Sequence, residues 1–109
     1  MSDQPDTVHF GDVEMKILSN SDELTVAELH LPAGSVASVH HHPHEEVNYV
    51  VAGKLDFMCD GRITTLYPGD AIRIPPDQPH NITCSPGSAG KVISIWTPSR
   101  TDLIEKLHK

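Results

Sequence analysis

Four of the chain's eight histidines fall within five positions, in the run His40-His41-His42-Pro43-His44-Glu45-Glu46. On an extended strand alternate residues face the same side, so His40 and His42 point one way while His41 points away. Pro43 has no backbone N–H to continue a strand ladder, which makes His44 and Glu45 a rim or turn pair. Glu46 then opens the next strand and faces inward again. Two imidazoles and a carboxylate from adjacent strands form an N,N,O set with open metal positions, suited to Fe(II), Mn(II), Ni(II), Zn(II) or Cu(II). Calcium and magnesium prefer oxygen shells. A lone loop histidine is usually just solvated; four together beside a carboxylate at ligand spacing call for a metal. His9, His30 and His108 lack partners at useful spacing and are expected at the surface or at strand edges.

The elements that must position these groups are short. Nine prolines and seven glycines punctuate runs rich in Val, Ile, Leu, Thr and Tyr, the pattern of an all-β domain with regular turns. The expected strands are Glu14–Leu18, Leu24–Leu31, Val36–His41, Glu45–Ala52, Leu55–Cys59, Ile63–Leu66, Ala71–Ile74, His80–Thr83 and Lys91–Trp96. Asp60-Gly61, between two such runs, is a strong signal for a type I′ hairpin, which needs positive φ. Only Thr101–Leu107 reads as a helix, with Thr101 as its cap and Asp102 in the first turn. Strands of this number and length fit a sandwich or double-stranded barrel rather than a parallel sheet.

With 109 residues the expectation is one domain spanning 1–109, its first seven residues polar and loose. A net charge of −7 repels phosphate backbones and anionic lipid, so neither nucleic acid nor membrane is an expected partner. No run approaches the ~20 apolar residues of a membrane span, and the start lacks the basic and apolar regions of a secretory signal. A cytoplasmic protein is expected. Cys59 and Cys84 match no metal-binding spacing and are read as reduced, buried thiols.

Residues 34–53 read G34-x5-H40-x-H42-x3-E46-x6-G53, and residues 69–80 read G69-x5-P75-x-D77-x2-H80. In these two motifs the chain resembles the cupins. Asp77 stands where that family often has Gly, and Cys84 where it often has Asn. The resemblance implies a conical jelly-roll barrel (a double-stranded β-helix) of two antiparallel sheets with a short C-terminal helix. It also implies one divalent transition metal held near the wide mouth by His40, His42, Glu46 and His80. Read without the motif, His80 sits in a proline-rich turn and could simply be exposed.

The stretch Ser94-Ile95-Trp96-Thr97-Pro98-Ser99-Arg100, with the histidine run and the chain length, is similar to the small pectin-degradation cupins of the KdgF type. Those proteins open the ring of unsaturated uronates. Their closing strand carries Asp-x-Phe-x-Pro-x-Arg, whose Asp, aromatic and Arg contact substrate. Here Trp96 supplies the aromatic ring and Arg100 the guanidinium, while Ser94 replaces the acid and Glu46 stands where Gln is common. On its own chemistry, Trp96 shares a strand face with Val92 and Ser94 and offers a flat ring to a sugar face. Arg100 can clamp a carboxylate bidentately. Ser94 cannot act as an acid near neutral pH, so either Glu46, His44 or a metal-bound water moves the proton or the protein carries out a different reaction.

The expected function is therefore a metal-binding enzyme acting on a small carboxylated carbohydrate, by uronate ring opening or isomerisation with the metal as Lewis acid. An Fe(II) dioxygenase of a small organic substrate is the second reading, and a non-catalytic sugar-binding module the third. Exposed strand edges invite pairing, so a homodimer is expected, with Glu14–Leu18 as the strand lying across a partner.

Overall fold

The computed structural model describes residues 7–107. Nine strands and one helix follow in order: β1 Thr7–Phe10, β2 Val13–Asn20, β3 Thr25–Leu31, β4 Glu45–Ala52, β5 Leu55–Cys59, β6 Arg62–Leu66, β7 Ala71–Ile74, β8 His80–Cys84, β9 Gly90–Thr97 and α1 Thr101–Leu107. A six-stranded sheet in the order β1-β2-β3-β9-β4-β7 faces a three-stranded sheet in the order β6-β5-β8, and every pairing is antiparallel. The expected all-β jelly-roll with a short C-terminal helix is what forms.

Alternation drives the layering. In β3 and β9 every second residue is buried, so one face of each strand looks into the barrel. The register stacks these inward residues into rows across the large sheet. One row runs Thr25, Trp96, Glu46, Ile74; the next runs Ala27, Ser94, Asn48, Ile72; the third runs Leu29, Val92, Val50. Beyond the third row lie Leu31, Leu55, Phe57 and Cys84, fully or almost fully buried. The apolar core therefore fills one end of the barrel, and polar groups are admitted only toward the other.

Turn chemistry supports the strands. Asp60 and Gly61 both have positive φ, 51° and 80°, and join β5 to β6 with Cys59 opposite Arg62, as the hairpin signal requires. Gly53 has φ 89°, and a Cβ there would lie 2.8 Å from Ala89 O, so no other residue fits between β4 and β5.

Four expectations need correction. Val36–His41 is not a strand; it runs beside β8 with only two isolated bridges, Val36 to Thr83 and His40 to His80. The Ser38 carbonyl is turned to the His40 ring and the Ala37 carbonyl accepts from Asn81 Nδ2, so side chains replace ladder partners. Thr7, expected to be loose, opens β1, which the sequence reading missed; the rest of that expectation, residues 1–6, and His108 lie outside the described residues. Thr101 is already helical: the Arg100 carbonyl accepts from Leu103 and Ile104, so Arg100 holds the cap position. Both edges of β2 are occupied, by β1 and β3 of the same chain. Cys84 is buried as expected, whereas Cys59 is only half-buried; both thiols are free.

Candidate metal centre

The backbone of residue 40 and that of residue 80 exchange both hydrogen bonds, His40 N to His80 O at 3.0 Å and His80 N to His40 O at 2.9 Å. Residues paired in this way put their side chains on the same face, and the two ring centroids are 4.3 Å apart. His42 is brought in by Asp77, whose N–H donates to the His42 carbonyl at 2.8 Å. Asp77 holds φ at 63°, a conformation a glycine would take freely, which accounts for Asp standing at a position that elsewhere is Gly. The His42 ring then lies 5.0 Å from that of His80 and 5.7 Å from that of His40.

The orientation of each ring is set by its own loop. Nδ1 of His40, His42 and His80 bonds the carbonyl of Ser38 (2.9 Å), His44 (3.2 Å) and Gln78 (2.7 Å) respectively, in each case two residues away. A carbonyl oxygen only accepts, so each Nδ1 carries a proton and Nε2 is the nitrogen left to face the cluster. One nitrogen from each of the three rings lies within 4.8 Å of the others.

Glu46 completes the cluster from β4. Its Oε1 is 2.9 Å from His42 Nε2 and 3.4 Å from His80 Nε2. The same oxygen accepts from Trp96 Nε1 at 2.6 Å, and Oε2 accepts from Asn48 Nδ2 at 2.7 Å. Burial alone would push the Glu46 carboxyl up; the neighbouring His42 and His80 rings and the Asn48 amide overturn this and hold it far below the usual carboxylate range. His80 is pulled down by burial but raised on balance by the Glu46 carboxylate, whereas His40 is lowered, chiefly by burial. His80 Nε2 is buried and makes no hydrogen bond. Three imidazoles thus converge within reach of one ion, with the Glu46 carboxylate beside His42 and His80 but outside that group of three, and a three-histidine donor set fits a divalent transition ion.

A cavity of about 520 Å³ opens onto this cluster. Trp96 and Arg100 both line it, as the sequence indicated. Arg100 is buried and stacks on Trp96 with its guanidinium carbon 5.0 Å from the ring centroid. Its backbone N–H donates to Thr25 Oγ1 at 2.8 Å, which ties the end of β9 to β3. The guanidinium fork, however, is already engaged: Nε and Nη2 donate to the two oxygens of Asp102 at 3.0 and 2.8 Å. Arg100 in turn holds the Asp102 carboxyl down to about 2. Ser94 also borders the cavity, yet its hydroxyl donates to Asn48 Oδ1 at 2.6 Å. It reaches the histidines only through the chain Ser94, Asn48, Glu46. His41 is exposed but borders the mouth, where strand alternation alone would have pointed it away.

The family profile described as the cupin domain matches residues 27–96. The chain is a cupin. The pectin degradation protein KdgF of Dickeya dadantii (strain 3937) is 26% identical to this cupin over 106 residues, 95% of this chain and 96% of that protein. Among solved structures, KdgF from Halomonas sp. superposes with a TM-score of 0.83 at 26% identity and covers 91% of each chain. An RmlC-like cupin from Shewanella frigidimarina NCIMB 400 reaches a TM-score of 0.79 at 33% identity, over 84% of this chain and 81% of that one.

Two members of this cupin's site were missed in the sequence. Asn48 was readable, since it lies two residues from Glu46 on the same strand face. Asp102 was taken only as a favourable charge at a helix start, because nothing local links it to the cavity.

Proposed function

We propose that this cupin is a metal-dependent enzyme acting on a small carboxylated carbohydrate, by uronate ring opening or isomerisation, with His40, His42, Glu46 and His80 as ligands of one divalent transition ion. The observation that carries the reading is the set of three inward Nε2 atoms, each fixed by an Nδ1–carbonyl bond, gathered beside a buried carboxylate. Similarity to KdgF over nearly the whole of both chains supports the substrate class.

A bound ion would supply Lewis acidity toward a hydroxyl or carbonyl oxygen. The chain's own residues supply the rest. Trp96 fixes Glu46 through its indole N–H and presents ring surface to the cavity. Arg100 uses Nε and one N–H of Nη2 on Asp102 and keeps its remaining N–H groups for a substrate carboxylate. Ser94 moves no proton, because its hydroxyl is committed to Asn48; of Glu46 and His44, the two groups the sequence put forward for that step, only Glu46 lines the cavity. His44 Nδ1 is buried without a hydrogen-bond partner.

The test is a coupled assay on unsaturated galacturonate with protein loaded in turn with Zn(II), Ni(II), Mn(II) and Fe(II). Turnover that needs the metal and falls at least about tenfold in Arg100→Ala is expected. Absence of turnover with every metal defeats the reading. A second reading, an Fe(II) dioxygenase of a small organic substrate, is favoured by the apolar residues that share the cavity; oxygen uptake with Fe(II) alone would select it. A cytoplasmic homodimer belongs to the same proposal. The exposed Tyr49 and Val51 on the outer face of β4 are consistent with pairing, and light scattering that gives the monomer mass at all concentrations would refute it.

A further inference from the structure

The cavity has two unlike ends. Toward the mouth it is lined by the histidines, Glu46, Arg100 and Asp102; away from them it is lined by Val13, Met15, Leu29 and Ile82. Val13, Met15 and Leu29 come from the neighbouring strands β2 and β3 of the large sheet, with Met15 opposite Leu29 in register, and Ile82 comes from β8 of the other sheet. The opening between the two ends follows from the row structure. The second row contains Ala27 and Ser94, whose short side chains leave the cavity open past Trp96 as far as Leu29 in the third row. On the opposite sheet Ile82 is two residues beyond His80, a step of about 7 Å along a strand. Among the polar side chains lining the cavity, the Ser94 hydroxyl is already donated to Asn48.

We propose that this inner end is an apolar subsite, which takes the deoxygenated part of a small acid in preference to a fully hydroxylated sugar. The polar end rests on the metal reading above; the apolar end does not. A sugar hydroxyl placed against Met15 and Leu29 finds no partner and weakens binding about fivefold to a hundredfold. A methylene in the same place strengthens it about fourfold. The two effects have opposite signs, so the cavity discriminates by the body of the ligand as well as by its acid group.

The experiment is calorimetry on the full, zinc-loaded chain with pyruvate, 2-oxobutanoate, 2-oxopentanoate, 2-oxohexanoate and phenylpyruvate, and with galacturonate for comparison. The head group is constant through the oxo acids, so the slope reads the body alone. Affinity is expected to rise about fourfold per methylene, with galacturonate weaker than 2-oxohexanoate. In Met15→Gln, or in Ile82→Thr should that variant fail to fold, the rise is expected to fall below about twofold per methylene. A flat series, tighter binding of galacturonate, or no binding by any oxo acid overturns the subsite. Repeating the series after zinc removal separates the two readings. Pyruvate affinity unchanged by the metal would defeat the metal reading and leave the slope standing, whereas a flat slope with metal-dependent pyruvate binding would do the reverse.

Discussion

The histidine cluster and the helix rim each centre on one carboxylate, and the two are held in opposite ways. Glu46 is buried and ringed by neutral donors fixed in the sheet, Trp96 and Asn48, with imidazole nitrogens on its open side. Asp102 has about half of its side chain in water and is held by Arg100 through two bonds, its side-chain partner a residue only two positions away. The first carboxylate is a fixed charge waiting for a cation, because its surroundings cannot rearrange without breaking the sheet. The second is exchangeable: water or another carboxylate can take its place on Arg100. One protein thus places a buried, fixed anion near a half-exposed, exchangeable one.

The comparison breaks most sharply at His80. Replacing it with Ala removes one of three converging nitrogens, and metal affinity is expected to fall more than about 100-fold, beyond the range typical of outer-sphere partners. Elemental analysis and metal titration measure this. If affinity holds, the fixed-charge picture of the cluster is wrong.

Asn48→Leu is the next largest. It leaves Glu46 Oε2 and the Ser94 hydroxyl without their partner, so a loss of about 2 kcal/mol in urea unfolding is expected. Metal affinity should fall about 10- to 100-fold. A stable variant with unaltered metal binding would show that the support of Glu46 from behind is dispensable.

Asp102→Asn has the smallest expected effect. A pair with its carboxylate half in water contributes about 1 kcal/mol, and galacturonate should bind slightly tighter once the fork of Arg100 is released. The pH dependence has a definite sign. The Asp102 carboxyl titrates at about 2 in the folded chain, below the ordinary value of about 3.9. Its contribution is therefore present above that ordinary value and is lost as the pH falls through the folded one. The stability gap between wild type and Asp102→Asn should close across that acid window, as followed by urea unfolding at each pH. A gap that widens toward acid would reverse the assignment.

Much of this was legible in the residues, and for a physical reason in each case. β4, β5, β7 and α1 fall where the turn residues and the alternation put them, because Gly53, Asp60-Gly61 and Gly69-Asp70 punctuate them locally. The histidines were legible because metal chemistry needs few residue types at close spacing. The strand expected at Val36–His41 was not, since its carbonyls are diverted to the His40 ring and to Asn81, partners outside any strand pattern. The pairing of Arg100 with Asp102 was hidden for a related reason. A fork and a carboxylate two residues apart read as independent until the helix cap folds one onto the other.

The row Thr25, Trp96, Glu46, Ile74 draws on four strands that are far apart in the chain. A slip of β4 by a single position would turn Glu46 and Asn48 outward and drive Glu45 and Val47 into the barrel. On the proposed ligand set, metal capture would then be complete only in chains whose strands have all found their proper neighbours. A bound ion would inspect finished folding, and would stabilise by mass action only the molecules that pass.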